Sequence, residues 1–371
     1  PHFRDRDGAA IASITHLPLV RFCYQSSYRS SLKPKTSVAR SVKWQKFTPE
    51  NLLKGPSFSA IGSYFALYVH QTTGVPLGLV GAYWGGTGID TWTPREGTAS
   101  RPDLKDVLDW KPSPKWDGKS PDGPALAWNE MVAPWCPFAF KGLVWYQGCA
   151  DARKPERYAS KMHALYDGWS RAFGNPDMRI YFVQLAPWGF AGIAKIQEAQ
   201  AEFEREQPNA GMAVINDLGN LTDIHPNEKG IVGLRLARMA LKRDYGMVDI
   251  EDCSPRLKSA EVKGDSFVLA FDHAKSLYIY NRDFSDVTPF ELAGEDGIFK
   301  PAKIANMKGH KRFDGKIEYR GQIDGGDRLV VRADGVDRPV KLRYCHSSPW
   351  LGTVYNEANL PLGAFHVDAE R

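Results

Sequence analysis

The chain reads as an α/β domain on a mainly parallel sheet, followed by a smaller β-sandwich. Three observations predict this. Over roughly the first 245 residues, short apolar runs bounded by turn residues alternate with amphipathic helical patterns. After Gly246 the helical periodicity stops, and short β-rich runs separated by Gly/Asp turns replace it. At 371 residues there is room for two domains, expected at 1–248 and 249–371.

In the first region, residues 19–24, 76–84, 142–147, 180–185 and 211–216 read as buried strands. Three helical faces lie between and after them. Ile61, Phe65, Tyr68 and Val69 form one, and Tyr158, Met162, Leu165 and Trp169 a second. Val232, Leu236, Met239 and Ala240 form the last, before the texture changes. These side chains read as core. In the tail, residues 267–271, 277–280, 317–319, 329–332 and 340–344 read as strands. Turns such as Asp314-Gly315, Gly325-Gly326 and Asp334-Gly335 punctuate them.

Composition excludes several classes. The net charge of +5 is mild. The densest basic stretch, residues 33–46, carries four Lys and one Arg among Ser, Thr and Pro, which describes a solvated loop. No nucleic-acid motif accompanies it. No apolar run of about 18 residues exists, so no membrane partner is expected. Five Cys show neither CxxC nor His/Cys metal spacing; one disulfide is allowed and none is required. Eleven Trp and fifteen Tyr fit sugar stacking, though core packing is the commoner use of any one ring.

Three segments at strand or helix ends carry the chemistry. In parallel α/β sheets, ligands sit at the carboxyl ends of strands. Gly85-Gly86, in Trp84-Gly85-Gly86-Thr87, allows backbone N–H groups to approach a ligand closely, as an oxyanion hole requires; a tight turn is the plain alternative. In Trp145-Tyr146-Gln147-Gly148-Cys149-Ala150-Asp151, the Gln147 amide can donate and Asp151 can accept. Cys149 has no nearby base and reads as a packed thiol. In Asp223-Ile224-His225-Pro226, Pro226 suits a first helical turn, which puts His225 at the start of the last helix. The Asp223 carboxylate can hold the imidazole in one tautomer and leave the other nitrogen to take a proton from a hydroxyl. Asp217 is the reserve acid.

Together these segments resemble the sialate O-acetylesterase branch of the GDSL/SGNH hydrolases. The likeness rests on Trp84 to Thr87 with Asp90 and Trp92, and on Asn129 to Pro134. It continues through Pro137 to Gly148, Asp223 to Pro226 and the closing Tyr355 to Pro361. It implies an SGNH-type three-layer α/β/α domain and removal of acetyl groups from sugar hydroxyls by a Ser-His-Asp mechanism. No metal or organic cofactor is needed, and a secreted or periplasmic home follows from the polysaccharide-acting relatives. His225 and Asp223 take the catalytic positions, Gly85, Gly86 and Gln147 the oxyanion hole, and Trp92, Asp151 and Trp145 the substrate contacts.

Two departures stand out. Cys149-Ala150-Asp151 replaces the usual Glu-x-Asn. The family's Gly-Gln-Ser-Asn nucleophile segment is absent. Ser26, in Gln25-Ser26-Ser27, is the substitute within this chain, but no Gly precedes it and no helix signal follows. The expectation is therefore that the nucleophile strand comes from a companion polypeptide, the N-terminal part of the same precursor. The rival functions are a non-catalytic sugar-binding protein and a glycosidase pairing Asp151 with Asp223.

Overall fold

The computed structural model describes residues 16–25, 28–54, 58–190, 192–219, 221, 223–280, 289–310, 320–346 and 350–369. They fall into two compact units. One runs up to Val183 and adds Ala199–Met212 and Asn227–Ile250. The other comprises Gln184–Glu198, Ala213–Pro226 and everything from Glu251 onward.

The first unit is α/β. Strand β1 (Leu17–Gln25) pairs antiparallel with β2 (Gln45–Phe47) and parallel with β3 (Leu77–Ala82). A second sheet contains β4 (Gly142–Trp145), β5 (Arg179–Val183) and β6 (Ala210–Ala213), in that order. β4 runs parallel to β5. The bonds Ile180 N–H to Asn209 O and Gln184 N–H to Ala213 O keep one sequence offset, the mark of parallel pairing. The apolar runs therefore became strands, yet they form two three-stranded sheets and not the single sheet expected. β3 and β4 are sheet edges among the described residues, and Val144 of β4 is 39% exposed.

Among the described residues six α-helices accompany the strands: α1 (Pro49–Lys54), α2 (Ala60–Thr73), α3 (Arg95–Ala99), α4 (Tyr158–Ala172), α5 (Ile193–Glu206) and α6 (Lys229–Arg243). Ser59 caps α2 by accepting the Gly62 N–H, and Gly74 closes it in the left-handed region. On the α4 face Tyr158, Met162 and Leu165 are fully buried as expected, and Trp169 is half-buried. The α2 face does not. Ala60, Ser63, Tyr64, Ala66 and Val69 turn inward, while Ile61, Phe65 and Tyr68 are only half-buried. The cause is backbone-close packing on α6, where a Cβ added to Gly233 would lie 2.5 Å from Tyr64 Cβ and 3.0 Å from Phe65 N. That approach favours small side chains such as Ala60, Ser63 and Ala66 on α2 over the stripe of Ile61, Phe65 and Tyr68.

The second unit is a β-sandwich. Its seven-stranded sheet runs β17-β15-β10-β11-β14-β8-β7 and its four-stranded sheet β12-β13-β9-β16. The strands are β7 (Arg256–Lys263), β8 (Ser266–Asp272), β9 (Leu277–Tyr280), β10 (Phe290–Ala293), β11 (Lys300–Ile304), β12 (Met307–His310), β13 (Arg320–Ile323), β14 (Arg328–Arg332), β15 (Lys341–Tyr344), β16 (Val354–Asn356) and β17 (Phe365–Asp368). The strand expected at 317–319 lies outside the described residues. Every pairing of these strands among the described residues is antiparallel, so inward residues alternate along each strand, as in the Phe267, Leu269 and Phe271 row of β8. Such fully buried side chains stabilise the fold by about 1.5–3 kcal/mol each. All five cysteines are free thiols. No helix among the described residues is long and apolar enough to cross a membrane.

Candidate active site

Two polar constellations carry the residues expected to function, one in each unit. In the α/β unit they converge on Gln147, just past the end of β4. Its Nε2 donates to Thr87 O at 3.0 Å and to Asp151 Oδ2 at 2.6 Å, which uses both amide hydrogens. Its Oε1 accepts the Tyr158 hydroxyl at 2.8 Å. Asp151 Oδ2 also accepts the Ile89 N–H at 2.9 Å, and Lys161 Nζ lies 3.6 Å from Oδ1 and 2.7 Å from Asp90 Oδ2. Asp151 is buried, and burial pushes its carboxyl above the ordinary carboxylate range despite Lys161 and the Gln147 amide. The same side chains tie the loop after β3 to the loop after β4.

The tryptophans belong to this framework. Trp92 is 4% exposed, and its Nε1 donates to Thr87 Oγ1 at 2.9 Å. It packs edge-on against Trp145, itself 7% exposed. Both rings are buried and packed on one another, an arrangement that serves the framework; a substrate contact remains an expectation for them. Both Asp151 oxygens have partners inside the protein, through Ile89, Gln147 and Lys161. Gln147 holds the loops together and has no N–H left for an oxyanion. The Gly85-Gly86 turn is different. It is exposed, Gly86 has φ +77°, and a Cβ at either position would meet no atom within 4 Å. Its backbone is open to a ligand, and the left-handed residue suits glycine.

The other constellation lies in the β-rich unit, on the loop before α6. Asp223 Oδ1 accepts the His225 backbone N–H at 2.9 Å and faces the ring Nδ1 at 3.1 Å. With Nδ1–H directed at a carboxylate, the neutral ring carries its lone pair on Nε2. The His225 side chain is 71% exposed and that of Asp223 is 49% exposed. The helix begins later than expected, at Lys229, so Pro226 is a loop residue; its ring packs over Gly219. The stem of this loop is anchored within the same unit. Asn216 O accepts the Gly352 N–H at 2.8 Å, and Asn216 Nδ2 donates to Leu362 O at 2.7 Å. Asp217, the reserve acid, is buried and accepts the Tyr355 hydroxyl at 3.3 Å, a role in the anchor.

Residues 50–242 match the family described as "Carbohydrate esterase, sialic acid-specific acetylesterase". The chain belongs to this family. A crystal structure of a carbohydrate acetylesterase from Xanthomonas citri superposes with a TM-score of 0.81 and 30% identity, covering 98% of this chain and 77% of that one. The human sialate O-acetylesterase is 27% identical over 290 residues, 71% of this chain and 54% of that protein. The rat sialate O-acetylesterase is 29% identical over 289 residues, 65% of this chain and 53% of that protein. The chain thus spans about half the length of these curated relatives.

Among the family member's other expected residues, Ser26 lies outside the described residues. Gln25 before it is buried, with Nε2 donating to Glu130 O at 2.9 Å. Burial pushes the Cys149 thiol up to about 11, and Asp151 adds to the effect, which disfavours the thiolate and fits the packed thiol read from the sequence. Sequence reading missed Lys161 and the Tyr158 hydroxyl, which looked like ordinary helix-face positions because their partners lie far away in the chain.

Proposed function

We propose that this protein removes acetyl groups from sugar hydroxyls. The Asp223–His225 pair carries the reading: an exposed imidazole, oriented through Nδ1, is equipped to take a proton from an alcohol at Nε2 and return it to the leaving alkoxide. Asp223 orients the ring and balances the imidazolium. The exposed Gly85-Gly86 turn of the α/β unit offers a backbone N–H of the kind that holds an oxyanion, a donor worth about 3 kcal/mol of barrier. The family membership supports acyl transfer as the chemistry.

The nucleophilic serine is proposed to sit on a strand that completes the sheet. β3 and β4 each have a partner on one side only, among the described residues, and the loops leaving them are bonded through Gln147 to Thr87 and Asp151 to Ile89. Strand edges left open present unpaired N–H and C=O groups and invite a further strand. A parallel strand seated there would end beside the Gly85-Gly86 turn. The occupant proposed is the companion segment of the same precursor, in a secreted or periplasmic setting where acetylated sugar polymers occur. Residues 1–248 and 249–371 remain the proposed domains.

Fluorophosphonate labelling of purified, acetate-releasing protein tests this, read by denaturing gel and mass spectrometry. The expected label falls on a serine of a second polypeptide. A label on Ser26, or a single intact polypeptide, overturns the companion. No label and no acetate release from acetylated sugars would leave a sugar-binding protein on an esterase scaffold.

A further inference from the structure

We propose that Glu198, His346 and His366 form a zinc site in the β-rich unit, apart from the esterase residues. Glu198 stands on α5, His346 just beyond the end of β15, and His366 on β17. The ligating atoms all lie within 4.8 Å of one another, and the two imidazole rings are 5.3 Å apart. Both rings address a single carboxylate oxygen: His366 Nδ1 contacts Glu198 Oε1, and His346 Nε2 lies 2.9 Å from that same atom.

Hydrogen bonding alone accounts for this cluster poorly. His346 Nε2 is buried and, despite its proximity to the carboxylate, makes no hydrogen bond. A buried ring nitrogen so poorly aligned with its carboxylate gains little from it, whereas a cation between them would take its lone pair. A divalent cation does so. Two imidazoles and one carboxylate are a borderline-soft donor set that suits zinc, with a fourth tetrahedral position left for water. Zinc at about 2.0–2.1 Å from each donor sets neighbouring donors roughly 3.4 Å apart, so modest side-chain rotation brings this set into place.

The position suggests what such an ion does. Among the described residues β17 is an edge strand of the seven-stranded sheet and pairs only with β15. His366 stands opposite Arg343 on that pairing. Zinc bridging it to His346 and Glu198 pins this edge strand and the first turns of α5 together. No sequence motif announces the site, because the three ligands are scattered from residue 198 to residue 366.

The test is isothermal titration of Zn2+ into the chelator-stripped full chain, with metal content by mass spectrometry and melting followed by circular dichroism. One saturable equivalent is expected, together with a higher melting temperature. His366→Ala, on an exposed side chain, should leave the spectrum unchanged and weaken Zn2+ binding at least about tenfold, the loss that even an outer-shell partner produces. Glu198→Gln and His346→Gln should do the same. Absence of a stoichiometric site, or unchanged affinity in both His366→Ala and Glu198→Gln, overturns the proposal.

Discussion

The two polar constellations differ in what their side chains have left to give. Around Gln147, itself half-buried between buried Asp151 and Tyr158, the groups are committed: both amide hydrogens, the amide oxygen and both Asp151 oxygens have partners inside the protein. Around His225 the pair is exposed, and the ring nitrogen not facing Asp223 is the one a substrate-side proton can reach. The contrast separates framework from chemistry. A network whose members satisfy one another fixes loop positions and resists change. A reactive pair needs one unsatisfied valence and an approach from solvent.

The sharpest way to break the comparison is His225→Ala. It should lower kcat for p-nitrophenyl acetate on the order of 10^4-fold, with the melting temperature unmoved because the side chain is exposed. Asp151→Ala should do the reverse. Loss of a buried carboxylate that serves Ile89, Gln147 and Lys161 costs about 3 kcal/mol in urea unfolding.

Asp151 also gives a pH signature. Its folded pKa is raised above 3.8, so the fold favours the protonated acid and ionisation opposes folding. The group's contribution to stability is fully present below 3.8 and is lost as pH rises through the raised value. The stability gap between wild type and Asp151→Asn, which does not titrate, should therefore narrow as pH rises through that window.

Gln147→Ala should destabilise by about 2 kcal/mol, taking a donor from Thr87 O and from Asp151 Oδ2, with a far smaller effect on kcat than His225→Ala. A kcat loss matching that variant at unchanged stability would move Gln147 back to the oxyanion. Tyr355→Phe, which removes the long bond to Asp217, should cost about 1 kcal/mol.

Much of this was legible in the residues. The strands of the α/β unit announced themselves as apolar runs, and Asp223-x-His225 as a pair that could meet across one loop. Helix α5 was hidden because its buried face carries Gln197 and Gln200. Those amides donate to Leu185 O at 2.7 Å and Val183 O at 3.1 Å, contacts that break the apolar stripe. β7 was hidden for a different reason: as a sheet edge it is mostly exposed and keeps a charged sequence, Arg256 to Lys263. The motif around Gln147 was visible, but its role was not, because Thr87 and Tyr158 reach it from distant segments.

The central claim is that Asp223 and His225 act as one catalytic unit. A double-mutant cycle measures it, with kcat for acetyl ester hydrolysis determined for Asp223→Asn, His225→Ala and both together. Asp223→Asn should slow the intact enzyme by on the order of 10^2-fold and have no further effect once His225 is gone. Equal losses in both backgrounds would show that the carboxylate does not work through the imidazole.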